Sequence, residues 1–295
     1  MNYRIHYALK NKNETQEGFH ISRKDLYKIF EFISQAPTLG NSRWATSDYQ
    51  ENNPRVIICA PPKSGSTWAT NILAKSLNVS IRRLCYAWSS NEHDLYVPSL
   101  VKFKGQGFIS QLHMKATPHN IVLLKDFSVR PIILTRNVFD SVVSFSRDLR
   151  KKIQAKKKTQ GVLGYSFVWL TDHMDNFSED EIIDYSIDYY LPWYMNFLRS
   201  WDAHHDKCRP VFCRYEDLKE HPSNVFEEII FDIVREASIS KIDFTTKFGS
   251  SALMSQTNSE KGDGYNSLKE AQIHKIRSYF LQSDSAWVLS HLQIP

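Results

Sequence analysis

What the chain lacks narrows the field first. Its four cysteines, Cys59, Cys85, Cys208 and Cys213, show no CxxC spacing and no paired histidines nearby. Neither a zinc site nor a disulfide framework is indicated, and buried reduced thiols are the expectation. No stretch approaches the ~20 apolar residues that span a bilayer. Residues Met1 to Gly18 are polar and lack the apolar centre of a signal peptide. The expectation is a cytoplasmic protein with no membrane partner. Repeats, low-complexity tracts and linkers are also missing. One domain over 1–295 is expected, with an N-terminal arm and helix over 1–50 and a core over 55–270. The chain has no GxxxxGK followed by Ser or Thr, so the usual phosphate loop of kinases and NTPases is absent.

What is present is ordinary in bulk. Apolar residues make up 42% and charged residues 23% of 295, the balance of a globular protein with a sizeable core. Net charge is +5, which favours anionic ligands such as nucleotides but falls short of a nucleic-acid signature. No nucleic-acid partner is expected.

Residues 22–34 read as an amphipathic helix with Leu26, Ile29, Phe30 and Ile33 on one stripe. Arg55 to Ala60 is a short continuous apolar run of the kind found in buried parallel strands. Further strands are expected at Gly107 to Leu112, Pro131 to Thr135 and Pro210 to Arg214. Between them lie helical patterns. One carries Ile72, Leu73 and Leu77 inward. A second is opened by Asn137, with Asp140 three positions on. A third starts at the capping box Ser178–Glu181 and runs to about Trp201, and Pro222 opens a fourth. Residues Thr257 to Ser267 read as a loop, and two short helices close the chain. Strands alternating with helices predict an α/β fold, a central parallel β-sheet flanked by helices.

The strongest local signal follows the first apolar strand. Pro61-Pro-Lys-Ser-Gly-Ser-Thr-Trp68 is a tight loop leading into a helix near Ser66. Backbone N–H groups converge at such a turn and the helix dipole favours an anion. Lys63 adds a charge, and Ser64, Ser66 and Thr67 add hydroxyls.

Pro62-Lys-Ser-Gly-Ser-Thr-Trp68 resembles the 5′-phosphosulfate loop PKSGTTW of the PAPS-dependent sulfotransferases, differing only at Ser66. PAPS is 3′-phosphoadenosine-5′-phosphosulfate, and PAP is the bisphosphate left after transfer. The resemblance implies a fold like that of the P-loop nucleotide kinases. It also implies PAPS as donor, PAP as product, a small-molecule acceptor and no metal. Lys63, Ser64, Gly65, Ser66 and Thr67 would then hold the 5′-phosphosulfate. The segment Leu134 to Ser144 resembles the family's 3′-phosphate segment, in which an arginine and a serine lie eight residues apart. Arg136 leaves a strand at a helix start, and Ser144 lies about two turns beyond Asn137, so both can close on one phosphate.

His113 ends a strand where the family carries its general base. The family's lysine two positions before is Gln111 here; Lys115 lies on the far side. His119 is the nearest rival base in the sequence. Val211 to Leu218 resembles the family's strand leading into YEDL, which would bring Tyr215 to the adenine. Trp68 would stack on the base. Thr246 and Phe248 would line the purine pocket, and Lys261 with Gly262 would meet the 3′-phosphate, although Glu260 stands where the family has arginine. The resemblance covers roughly 55–270.

Two charge runs remain. Arg147 to Lys158 is basic and Asp172 to Asp188 acidic; the first reads as a solvated helix end or a lure for anions, the second as helix-start chemistry or a site for a cationic acceptor. Three alternatives stand beside the enzyme: a P-loop kinase-like protein, a non-catalytic PAP-binding protein, and a basic RNA-binding protein. The sequence leaves the acceptor, O- versus N-sulfation and a homo-oligomer open.

Overall fold

The computed structural model describes residues 4–5, 19–20, 53–86, 92–158, 172–233 and 263–292. The chain forms two compact units, Met1–Ser47 and Asp48–Pro295. In the first, β1 (Arg4–Ile5) pairs antiparallel with β2 (Phe19–His20). The helix expected over 22–34 lies outside the described residues.

The second unit is built on a five-stranded parallel sheet. Its strands are β3 (Arg55–Cys59), β4 (Ser80–Ile81), β5 (Phe108–Leu112), β6 (Arg130–Thr135) and β7 (Val211–Arg214), in the spatial order β4-β5-β3-β6-β7. Every residue of β3 is buried. That follows from its place at the centre of a sheet covered on both faces, where a strand needs no polar alternation. Chain order reverses on either side of β3, with β5 on one flank and β6 on the other. In open α/β sheets, ligands bind outside the carboxyl ends of strands at such a switch point.

Helix α1 (Ser66–Ser76) follows β3 and buries Ala69, Thr70, Leu73 and Ala74. Leu73 and Leu77 face inward as expected, while Ile72 is only partly covered. Helix α2 (Val97–Lys102) precedes β5, and α3 (Pro118–Asp126) follows it, capped by Thr117 accepting from the Asn120 N–H. Helix α4 (Val138–Lys158) absorbs both the segment opened by Asn137 and the basic run. Asn137 Oδ1 accepts from the Phe139 N–H at 3.0 Å, the capping bond expected of that residue.

The long helix expected over 178–201 is divided. α5 (Glu179–Tyr185) starts at the capping box, with Ser178 and Glu181 bonded in both directions. A π turn over Ser186–Tyr190 then leads into α6 (Leu191–Asp202). Pro192 has no N–H for the carbonyl of Asp188, and the wider turn falls on the residues just before it.

Beyond the short α7 (His205–Cys208) comes β7. It runs into α8 (Tyr215–Glu220), a helix that the sequence pattern does not separate from the strand. Helix α9 (Pro222–Ile233) opens at Pro222 as expected. Where the sequence predicts a loop to Ser267, residues Asp263–Asn266 form the short helix α10. α11 (Glu270–Phe280) and α12 (Ala286–Leu289) follow. Among the described residues, no helix is long and apolar enough to cross a membrane. All four cysteines are free thiols.

Candidate active site

Four adjacent strands deliver four candidate residues to one edge of the sheet. Cys59 pairs in register with Leu112 of β5 and Ile133 of β6, and Thr135 pairs with Arg214 of β7. The next residues along each chain path are therefore neighbours. They are Ala60 with the loop that follows, His113, Arg136 and Tyr215.

The loop is held tightly. Ala60 donates its N–H to the Leu112 carbonyl at 3.1 Å. Lys63 has φ 69 and Gly65 φ 79, both left-handed. For Lys63 that conformation costs about 1–3 kcal/mol unless its surroundings impose it. Arg136 imposes it from one side, with Nη1 donating to the Lys63 carbonyl at 2.9 Å. On the other side Lys63 Nζ lies 3.4 Å from Asp148, which also takes Lys152 at 2.9 Å. Burial works to raise the Asp148 pKa, yet the two lysines carry it below the usual carboxylate value. At Gly65 a Cβ would stand 2.5 Å from the Tyr215 ring, so only glycine fits there. Arg136 in turn lies 4.7 Å from the centre of that ring. It is 5% exposed, a guanidinium buried between the loop and an aromatic face.

Two tyrosines from the π turn and α6 brace this arrangement. Tyr190 Oη donates to the Pro62 carbonyl at 3.2 Å and lies 2.6 Å from Ser141 Oγ. Tyr194 Oη donates to the Arg136 carbonyl at 2.5 Å. Ser141 and Asp148, seven residues apart on one face of α4, thus both meet the loop's surroundings. Ser144 lies on the same stripe between them and is buried.

His113 closes the site on the β5 side. Its Nδ1 is 2.7 Å from the carbonyl oxygen of Ala60, the residue immediately before the loop. A carbonyl only accepts, so Nδ1 carries the proton and Nε2 carries the lone pair. Nε2 has no protein partner among the described residues. Burial pushes the His113 pKa down to about 4, against the Ala60 carbonyl, which raises it; the neighbouring His93 ring and the Lys152 charge lower it further. The imidazole is a neutral base at neutral pH. The rival His119 is exposed, with Nε2 3.3 Å from the Leu95 carbonyl.

The family model for the sulfotransferase domain matches residues 53–231, which contain all of these elements. The chain belongs to the sulfotransferase family. Its fold is similar to that of mouse sulfotransferase SULT7A1, a crystal structure complexed with PAP, at a TM-score of 0.55 and 15% identity. That match covers 81% of this chain and 87% of the other. The parallel sheet and flanking helices are the P-loop-like sulfotransferase fold. Comparison with curated proteins gives no match.

Within this sulfotransferase fold, other candidates fall as follows. Ser64 is fully buried, and its Oγ has no hydrogen-bond partner among the described residues. Ser66 is buried in the first turn of α1. Thr67 Oγ1 donates to Gln111 Oε1 at 3.1 Å, so the residue that replaces the family lysine touches the loop directly. Lys115 instead pairs with Glu92 at 2.5 Å. Trp68 stands edge-on to Phe226, with centroids 5.8 Å apart. Thr246, Phe248, Glu260, Lys261 and Gly262 lie outside the described residues. Two residues further on, the Gly264 N–H donates to Asp140 Oδ1 at 2.8 Å, and a Cβ on Gly264 would collide with the Asp140 backbone. Tyr265 packs edge-on against Phe139 at 5.1 Å. Gly264 and Tyr265 are thereby fixed at the first turn of α4, the turn that follows Arg136.

The acidic run is largely spent on packing. Asp180 pairs with Lys269 and Asp188 with Lys275, and Asp184 accepts from Gln272. These contacts fasten α5 and the π turn to α11, which removes the observation behind a cationic acceptor. Sequence reasoning missed His93, Asp148, Tyr190 and Tyr194. Asp148 carried a signal, as the one acid inside a basic run; the others show their roles only in three dimensions.

Proposed function

We propose that this chain transfers a sulfuryl group from PAPS to a hydroxyl or amine of a small-molecule acceptor, with His113 as the general base. The observation that carries the reading is the 2.7 Å bond between His113 Nδ1 and the carbonyl of Ala60. It ties a base whose Nε2 has no partner among the described residues to the residue just before the anion loop.

The residues suit the donor. Ser64 offers a buried hydroxyl with no partner among the described residues. The first turn of α1 holds no acidic residue. A loop with a lysine, a helix N-terminus and a buried hydroxyl is suited to a phosphate or sulfate. PAPS, when bound, supplies the activated sulfuryl group and is left as PAP. Family membership and the PAP in the mouse structure support that choice of nucleotide.

Each role then has a physical basis. Nε2 of His113 takes the acceptor's proton as it attacks sulfur, a task worth ~10²- to 10⁴-fold in rate. Lys63 and the backbone amides of residues 63–67 offset the negative charge that grows on the departing phosphate. Lys63 already holds an anion, Asp148, so binding exchanges one ion pair for another. Arg136 and Ser144 hold the 3′-phosphate, joined by Lys261 and Gly262 from the C-terminal part of the chain. Trp68, Tyr215, Thr246 and Phe248 enclose the adenine. Lys63 and Arg136 supply the positive charge, so the reading calls on no metal. The chemistry lies in 55–270 of a single functional unit, 1–295.

The test is transfer of labelled sulfate from PAPS to a panel of phenols, alcohols and amines. Wild-type protein should label at least one class. His113→Ala should lose ~10²-fold or more in rate while still binding PAP. Binding of PAP with no transfer to any class would make the chain a non-catalytic binder.

A further inference from the structure

His113 is held at more points than the Ala60 bond. Its backbone N–H donates to His93 Nδ1 at 2.8 Å, and its carbonyl accepts from the His93 N–H at 3.1 Å. The two rings stack with centroids 5.2 Å apart and planes 21° from parallel. One residue from another segment thus takes both main-chain groups of the candidate base and covers one face of its ring.

We infer that His93 is a positioning residue for His113, fixing the end of β5 and backing the imidazole so that Nε2 is presented to the acceptor. The inference rests on His113 being the base.

The chemistry of His93 suits this task. Because Nδ1 accepts the His113 N–H, it carries no proton, and the neutral ring has its proton on Nε2. His93 is 6% exposed, so water does not easily replace the bond it makes. Its own segment is anchored without it. The Leu95 N–H donates to Asn120 Oδ1 at 3.0 Å, the Tyr96 N–H to the Leu84 carbonyl at 2.7 Å, and Glu92 pairs with Lys115. A substitution at 93 therefore leaves the segment in place and changes what meets His113. His93 touches neither the anion loop nor Arg136 through any of these contacts. Its loss should act on the chemical step and spare nucleotide binding.

Two variants separate the ring from the acceptor. His93→Phe keeps a stacked ring and removes the Nδ1 acceptor. His93→Asn places an oxygen acceptor near the Nδ1 position and removes the ring. Sulfuryl transfer from PAPS and PAP affinity by calorimetry are measured for both, beside His113→Ala. His93→Phe should lower kcat by about tenfold to a hundredfold, the scale of a base displaced by a fraction of an ångström to 1 Å. PAP affinity should stay within about twofold, as for a change felt only in the transition state. His93→Asn should recover much of the lost kcat. Full activity in His93→Phe with an inactive His113→Ala would overturn the role of His93 alone. Equal losses of kcat and PAP affinity in both variants would overturn it too, since a general structural role does that. A fully active His113→Ala would overturn the base itself and His93 with it.

Discussion

The imidazole Nδ1 of His113 and the carbonyl oxygen of Ala60 stand 2.7 Å apart, joining the end of β5 to the first residue beyond β3. That contact sets the tautomer and leaves Nε2 basic. Burial, offset in part by the same carbonyl, brings the His113 pKa down to about 4. The acid limb of kcat/KM for sulfuryl transfer should therefore have an apparent pKa near 4, and activity should hold as pH falls from 8 to about 5, past the ordinary histidine value of ~6.5. A limb near the ordinary histidine value would contradict a half-buried base that stays neutral.

Gly65 tests the loop. Any side chain there meets the Tyr215 ring, and φ 79 is unfavourable for it as well. Gly65→Ala should weaken PAP binding by about tenfold or more, since relieving a strain of ~1–3 kcal/mol must move the loop or the ring. Calorimetry with PAP reads the loss directly. A variant that binds like wild type would show that the loop's shape does not set affinity.

Arg136 tests the second phosphate. PAP carries a 3′-phosphate and 5′-AMP does not. Arg136→Gln should weaken PAP by about ten- to a hundredfold, the scale of a charge-assisted hydrogen bond, and change 5′-AMP far less. Equal losses for both ligands would move Arg136 from phosphate recognition to loop support through its bond to the Lys63 carbonyl.

His291 links stability to pH. It is 1% exposed, with Nδ1 3.0 Å from the Trp287 carbonyl, and Nε2 has no hydrogen-bond partner among the described residues. Burial pushes its pKa down to about 4. The unfolded chain, with a histidine pKa of ~6.5, binds the extra proton between those values. The stabilisation is thus complete above about 6.5 and is lost as pH falls toward the folded value. His291→Gln should reduce the slope of unfolding free energy against pH in that window by about 1.4 kcal/mol per pH unit. Denaturant titrations between pH 7 and pH 4.5 measure it, and an unchanged slope would contradict the account.

Much of this was legible in the sequence, for reasons that particular residues show. Strands β3, β5, β6 and β7 lie within one residue of their expected bounds. Buried parallel strands are short apolar runs, and each ends at a marked change in chemistry: Pro61, His113, Arg136, Tyr215. β4 escapes a sequence reading because Ser80 and Ile81 are exposed and are a strand only through pairing with β5. The division of the helix after Ser178 had its signal in Pro192, but capping and periodicity outweighed it. His93 had no signal at all. It sits in a polar segment twenty residues from His113, and only folding stacks the two rings.

The most direct test of the central claim is calorimetric titration of the protein with PAP beside ATP and Mg²⁺. The account predicts tight binding of PAP and weak binding of ATP, because the proposed site assigns Arg136 and Ser144 to a 3′-phosphate and the 63–67 loop to a single 5′-phosphoryl group. Tight binding of ATP, or of neither nucleotide, would contradict it.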